Sequence, residues 1–205
     1  MKAIIGKKLG MTQVFDAQGN AIPVTVIEAT PGTVLDVKTV ERDGYEAMKV
    51  AFFEDPKEHR YTKPELGVFK KTGVKPHRKI KELPIEGSAA VGDAVSVEGF
   101  AAGDKVTVTS VSKGKGFQGT VRRHNFNGGP RSHGAMNLRE PGSIGASSFP
   151  SHVWKGKRMA GHMGSDRVTI HNLRVVDVRV DQNLILLRGA VPGGKNAIVH
   201  ISKQS

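Results

Sequence analysis

Nothing between Ser112 and Arg167 can build a core, and any fold for this chain has to accommodate that stretch. It reads SKGKGFQGTVRRHNFNGGPRSHGAMNLREPGSIGASSFPSHVWKGKRMAGHMGSDR. Glycine recurs throughout, Pro130, Pro141 and Pro150 block a long helix, and the few aliphatic residues keep no period of 2 or 3.6. Ten cations (Lys113, Lys115, Arg122, Arg123, Arg131, Arg139, Lys155, Lys157, Arg158 and Arg167) stand against two acids, Glu140 and Asp166, a charge of +8. The whole chain carries +12, so only +4 is left for the other three-quarters of its length. A segment of this composition does not offset its ordering entropy by burial. It is either a floppy basic loop or a segment ordered on a polyanion. Run out and back, each arm of about 25 residues reaches at most ~80 Å at ~3.3 Å per residue.

The remaining sequence, in a chain of 205 residues that is 38% hydrophobic, can supply a modest core. No apolar run is long enough to span a membrane as a helix, and Lys7 and Lys8 interrupt the N-terminal apolar residues too early for a signal peptide. The chain has no cysteine, which excludes disulfides and thiolate metal sites and fits a reducing compartment. A pI near 10.0 favours nucleic acid as the partner.

Taken in order, residues 2 to 53 read as short strands. Lys2–Ile5 and Thr12–Phe15 flank Gly6-Lys7-Lys8-Leu9-Gly10, and Asp16-Ala17-Gln18-Gly19-Asn20 has the chemistry of a hairpin turn. Strand-like runs follow at 21–29, 33–40 and 45–53. Residues 54–93 change character: Lys, Glu, His and Pro dominate, with a short helix expected at Pro64–Thr72 and the rest irregular. Strand pattern returns at 94–97 and 105–111 and again from Arg167. There Val168 and Ile170 share one parity, Leu173 and Val175 the other, and Val176, Val178 and Val180 the first again. Two parity switches in one strand predict bulges or a corner, as a small closed barrel requires. The last strands are expected at 184–187 and 197–201. The predicted architecture is a mainly β fold: a barrel from 1–53, 94–111 and 167–205, a small mixed α/β insertion at 54–93, and a basic extension at 112–166.

Several motifs are present in form only. Gly114-Lys115-Gly116-Phe117-Gln118-Gly119 matches a dinucleotide fingerprint, but no helix and second strand follow; a phosphate-binding turn, with the phosphate belonging to RNA, is the better use. Pro141 spoils the nucleophile elbow around Ser143. His124, His133, His152 and His162 lack metal-site spacing and sit among cations. No carboxylate pair is placed for acid–base work, so no enzyme and no cofactor are expected. Phe117, Phe126, Phe149 and Trp154 are interleaved with the cations. Such rings either stack on unpaired bases or pin the segment's base to the barrel. Pinning is preferred for Phe117 and Trp154; for Phe126 and Phe149 both roles stay open.

The motifs Ile5-Gly6-Lys7-Lys8-Leu9-Gly10-Met11-Thr12, Ser112 through Gly119, Gly128-Gly129-Pro130, Ser132-His133-Gly134, Pro141-Gly142-Ser143-Ile144-Gly145, Lys155 through Gly164, and Gly189-Ala190-Val191-Pro192-Gly193 occur together and in this order. On these motifs the chain resembles the bacterial form of the universal large-subunit ribosomal protein three family, over nearly its whole length. The resemblance implies a translation-factor-like barrel on the subunit surface, binding near the 3′ end of large-subunit rRNA early in assembly, and a basic loop reaching toward the peptidyl transferase centre. It also implies a cytoplasmic ribosomal location and neighbouring large-subunit proteins, including those numbered fourteen and nineteen, as partners. Many bacterial members carry a methylated glutamine just after Gly-Ser-Ile-Gly. Here the position is Ala146, so that modification is expected to be absent, and Pro150-Ser151-His152-Val153-Trp154 replaces a more basic pattern.

The expected rRNA-contacting set is therefore the ten cations together with Lys7, Lys8, His124, His133, His162 and Trp154. Gly128, Gly129 and Gly161 are expected to let the backbone approach RNA. The alternatives are a free-standing nucleic-acid-binding module and a dinucleotide-binding enzyme at 114–119.

Overall fold

The structure, a computed structural model, describes residues 3–85 and 89–204. Lys2, with which the first expected strand begins, lies outside the described residues, as do residues 86–88 of the expected insertion and Ser205. From the N-terminus the elements are β1 (Ala3–Phe15), β2 (Ala21–Glu28), β3 (Gly32–Lys38), α1 (Val40–Asp43), β4 (Ala47–Glu54), α2 (Lys63–Thr72), β5 (His77–Leu83) and β6 (Ala94–Val95). Then come β7 (Lys105–Val111), β8 (Gly116–Gln118), α3 (Thr120–His124), β9 (Gly161–Met163), β10 (Arg167–Arg179), β11 (Leu184–Arg188) and β12 (Ile198–Lys203). The chain divides into two compact units, Met1–Val111 with Arg167–Ser205, and Ser112–Asp166.

In the first unit six strands close into a barrel in the order β1-β12-β7-β10-β11-β2, and each neighbouring pair is antiparallel. Alternation fills it. Val106 and Val108 of β7, Ile185 and Leu187 of β11, and Val199 and Ile201 of β12 are all buried; Thr107 and His200 between them are half-buried, whereas Leu186 is buried as well, so β11 is covered on both faces. Each such side chain contributes about 1.5–3 kcal/mol by leaving water. The parity switches of β10 are bulges: its register shifts between Ile170 and Leu173 against β7, and between Val175 and Asp177 against β11. The Asp16 turn also forms as its chemistry requires, with the carboxylate accepting from the backbone N–H groups of Gln18 and Asn20 at 2.9 and 2.8 Å.

Three features differ from the sequence reading. Residues 6–10 do not separate two strands: β1 runs through them, pairing with β12 over Ala3–Lys7 and with β2 over Lys7–Phe15. Gly10 borders a bulge between Lys8 and Gly10, while Gly6 leaves room for the Ile27 side chain, which a Cβ there would strike. Second, β3 and β4 leave the barrel. They form a four-stranded sheet in the order β5-β4-β3-β6, so residues 32–54, and with them the strand expected in the barrel at 94–97, of which Ala94–Val95 forms β6, group with the expected insertion rather than with the barrel. Third, His77–Leu83 is a strand rather than irregular chain. Its sequence HRKIKEL hides this because β5 is an edge strand with charged exposed positions, a pattern that also protects the edge from pairing with another chain.

The sheet shares the barrel's core through Val34, Val50, Phe52 and Leu83. Its other face takes α2 through Leu35, Ala51 and Phe69. The helix starts where expected: Pro64 lies in its first turn, and the Glu65 carboxylate accepts from the Thr62 N–H at 2.8 Å and from its hydroxyl at 2.9 Å.

The second unit has another character. Antiparallel β8 and β9 make a two-stranded ribbon at its root. There the Ser112 N–H donates to the Asp166 carbonyl at 2.8 Å, and the Lys115 N–H to the Met163 carbonyl at 2.9 Å. The five-residue α3 follows, and residues 125–160 hold no helix or strand.

Candidate nucleic-acid interface

Among the described residues, no apolar side chain between 112 and 166 is buried, and neither hydrophobic cluster includes one. The fold of this unit rests on backbone hydrogen bonds and a few polar hooks. One hook is double: the Arg123 guanidinium donates to the Met159 carbonyl at 2.9 Å, and His124 Nε2 lies 3.0 Å from the same oxygen. Arg123 and His124 are half-buried as a result, so their polar groups are used inside the segment.

The other cations are differently placed. Lys113, Lys115, Arg122, Arg131, Arg139, Lys155, Lys157, Arg158 and Arg167 are all exposed, as are His133 and His162. Among the described residues none of these cations enters an ion pair. The contrast lies in the first unit, where Arg42 meets Asp36 at 2.9 Å and Lys75 meets Glu54 at 2.9 Å. Those contacts hold both carboxyls below the usual carboxylate range, the hydrogen bond from the cation being the main cause in each. Among the described residues the ion pairs lie in the first unit, and the cations of the second enter none.

The aromatic rings are presented rather than hidden. Phe117 is 77% exposed, Phe149 86% and Trp154 64%, so none of the three rings is sequestered in a core. Three of the rings keep company with imidazoles. Phe117 sits opposite His162 across the β8–β9 ribbon, the Trp154 and His152 rings are 5.3 Å apart, and Phe126, half-buried, is 6.0 Å from His124. The sequence reading missed Met136, 97% exposed in the middle of the segment. An isolated methionine among polar residues carries no periodic signal that would have found it.

Glycine has a use inside the segment itself. A Cβ at Gly129 would lie 2.7 Å from the Asn137 carbonyl, one at Gly161 2.6 Å from the Arg123 guanidinium, and one at Gly128 would strike the Leu138 carbonyl. These close approaches are made within the segment itself.

Of the two N-terminal lysines, Lys7 is half-buried and Lys8 buried. Lys8 Nζ donates to the Val191 carbonyl at 2.7 Å and to the Gly193 carbonyl at 3.3 Å. It therefore tethers the loop before β12 to β1 and leaves the set of open cations. The dinucleotide fingerprint also fails in three dimensions: Gly116–Gln118 is strand β8 and the helix after it has five residues, not the long helix a pyrophosphate site needs. Ser143 donates to the Gly145 carbonyl of its own loop. Among the described residues no cluster of His, Asp and Glu is fit to hold a metal, and no helix is long and apolar enough to cross a membrane.

A family model described as ribosomal protein L3 matches residues 87–183. The large ribosomal subunit protein uL3 of Brachyspira pilosicoli is 49% identical over 205 residues, covering 99% of this chain and 94% of that protein. The chain belongs to the ribosomal protein L3 family. Two further uL3 proteins agree, those of Lawsonia intracellularis (50% identical, 98% of this chain, 97% of that protein) and Syntrophotalea carbinolica (52%, with the same coverage). An L3 family member is a structural ribosomal protein, not an enzyme, which accounts for a charged surface without a catalytic constellation.

Proposed function

We propose that this protein is a structural constituent of the large ribosomal subunit in the cytoplasm, bound to large-subunit rRNA near its 3′ end. In this reading it helps nucleate assembly and extends residues 112–166 as a basic loop toward the peptidyl transferase centre. One observation carries most of the weight: the segment has exposed, unpaired cations, exposed aromatic rings and no buried apolar side chain. A surface of that kind is completed by a polyanion, which supplies the countercharge the segment lacks. Lys113, Lys115, Arg122, Arg131, Arg139, Lys155, Lys157, Arg158 and Arg167 neutralise phosphates. Lys7, His133 and His162 hydrogen-bond phosphates or base edges, and Phe117, Phe149 and Trp154 stack on unpaired bases. Arg123 and His124 act indirectly by holding Met159. Large-subunit proteins fourteen and nineteen are neighbours in this arrangement, and Ala146 leaves the loop without a methylated side chain.

The test is binding of the full chain to fragments of large-subunit rRNA, unrelated RNA and duplex DNA across a salt series. With ~6–10 phosphate contacts, affinity for the cognate fragment falls about 10³–10⁵-fold between roughly 50 and 200 mM salt. A strong preference for fragments near the rRNA 3′ end is the expected result. Equal affinity for every polyanion would reduce the protein to a generic basic module.

A further inference from the structure

The four-stranded sheet turns one face toward the barrel, where Val50, Phe52 and Leu83 join the common core. On β5, the edge strand, Lys79 and Lys81 have the same parity as Leu83 and hence share that face, but both are exposed. Here the sheet diverges from the barrel and leaves a groove of about 720 Å³. One wall is Lys79 and Lys81. The other is the outer face of β12, β7 and β10, contributing Ile198, His200, Val111 and Arg167. Among the described residues no carboxylate lines the groove and neither lysine enters an ion pair. The crowding of charge is felt by His200. Burial first, then Lys81, Arg167 and Lys79, depress its pKa below the ordinary histidine value and keep the imidazole neutral. Val111 and Arg167 are cross-strand partners and the residues that flank the basic segment in the chain.

We propose that this groove is a second RNA-backbone site, in which Lys79, Lys81 and Arg167 grip successive phosphates of one strand. The inference rests on the rRNA-binding reading and adds to it a contact surface on the barrel unit. Lys79 and Lys81 are two residues apart on one strand face, about 6.6–6.8 Å, close to the spacing of neighbouring phosphates along a nucleic-acid strand. The apolar side chains of Val111 and Ile198 in the facing wall accept the ribose side of the backbone. Neutral His200 offers a hydrogen-bonding group without adding to the repulsion among the three cations. An acidic peptide matches the charge, but regular side-by-side cations facing an apolar wall fit a repeating phosphodiester better.

The experiment compares three full-length proteins, wild type, Lys79→Ala/Lys81→Ala and Lys155→Ala/Lys157→Ala/Arg158→Ala, on the same large-subunit rRNA fragment across a salt series. Removing two phosphate contacts at ~0.7–0.9 each lowers the slope of log affinity against log salt by about 1.4–1.8, a loss of ~25–60-fold near 0.1 M salt. Unchanged thermal unfolding confirms that the exposed lysines were not holding the fold. If the extension variant weakens binding while the groove variant keeps the wild-type slope, this inference falls and the functional reading stands; Lys79 and Lys81 then only protect a sheet edge. If wild type shows no preference for large-subunit rRNA, the functional reading itself falls. A groove variant that binds RNA normally but fails to enter large-subunit particles would assign the groove to an acidic protein segment and overturn the RNA site. Because the chain has no cysteine, Lys79→Cys provides a single thiol for a tethered hydroxyl-radical source. Cleavage of one short rRNA stretch is expected, and absence of cleavage would overturn the proposal.

Discussion

Replacing Lys8 with methionine separates two uses of a cation that sequence alone cannot distinguish. An RNA-contacting lysine would lose affinity on substitution and leave the fold intact. The structure assigns the opposite: Lys8 is 8% exposed, and Nζ donates to the Val191 and Gly193 carbonyls across a sequence separation of more than 180 residues. Methionine fills much the same volume but donates nothing. The bond at 2.7 Å is charge-assisted and contributes about 1.5–3 kcal/mol, while the one at 3.3 Å adds little. Relief of the ammonium's desolvation offsets part of this, leaving a net loss of about 2 kcal/mol. For a domain of this size that corresponds to a fall in Tm of roughly 4–8 °C. The assay is thermal unfolding followed by circular dichroism, paired with the salt dependence of rRNA binding. Expected are a lower Tm and an unchanged salt slope. An unchanged Tm with a slope reduced by about one contact would refute the tether and restore Lys8 to the RNA surface.

Other substitutions probe other links. Gly164 has φ +77°, and a Cβ there would strike the Lys113 carbonyl at the root of the basic segment; Gly164→Ala should cost about 2 kcal/mol or more locally, increasing hydrogen exchange at the Ser112 and Lys115 amides while barrel amides stay protected. Ile185→Ala removes a fully buried barrel side chain and should destabilise the protein by about 2–5 kcal/mol in denaturant titration, with the rRNA salt slope unchanged. His200 has a folded pKa below its ordinary 6.5, so the unfolded chain takes up the proton first. Stability is therefore retained above about pH 6.5 and lost as pH falls toward the folded value. His200→Gln should flatten that loss between pH ~7.5 and ~5.5, as followed by Tm, and phosphate binding in the groove should raise the His200 pKa measured by NMR.

What the sequence revealed and concealed follows from the range of each signal. The bulges of β10 were readable because parity is a local property: Ile170, Leu173 and Val176 cannot all face one side of a regular strand. The Asp16 turn was readable for the same reason, since it closes within four residues; the Thr62–Glu65 cap is equally local but went unread, Pro64 alone marking the helix start. Pairing partners are not local. Nothing in the residues of β3 and β4 says that they turn away from the barrel to meet β5, and β5 itself is disguised by the charges that suit an edge. In the basic segment, composition identified the open surface as a whole. It did not separate Arg123 and His124, which hook the Met159 carbonyl, from neighbours such as Arg122 that face solvent. Lys79, Lys81 and His200 were invisible as a group because more than a hundred residues lie between β5 and β12.

The most direct test of an RNA-facing extension is photo-crosslinking from residue 149 in assembled large subunits, with a photoreactive phenylalanine analogue in place of Phe149, 86% exposed in the basic segment. The expected result is an adduct to large-subunit rRNA at one site, reduced when Lys155, Lys157 and Arg158 are replaced by alanine. Adducts only to neighbouring proteins, or none in particles that contain the protein at full occupancy, would contradict it.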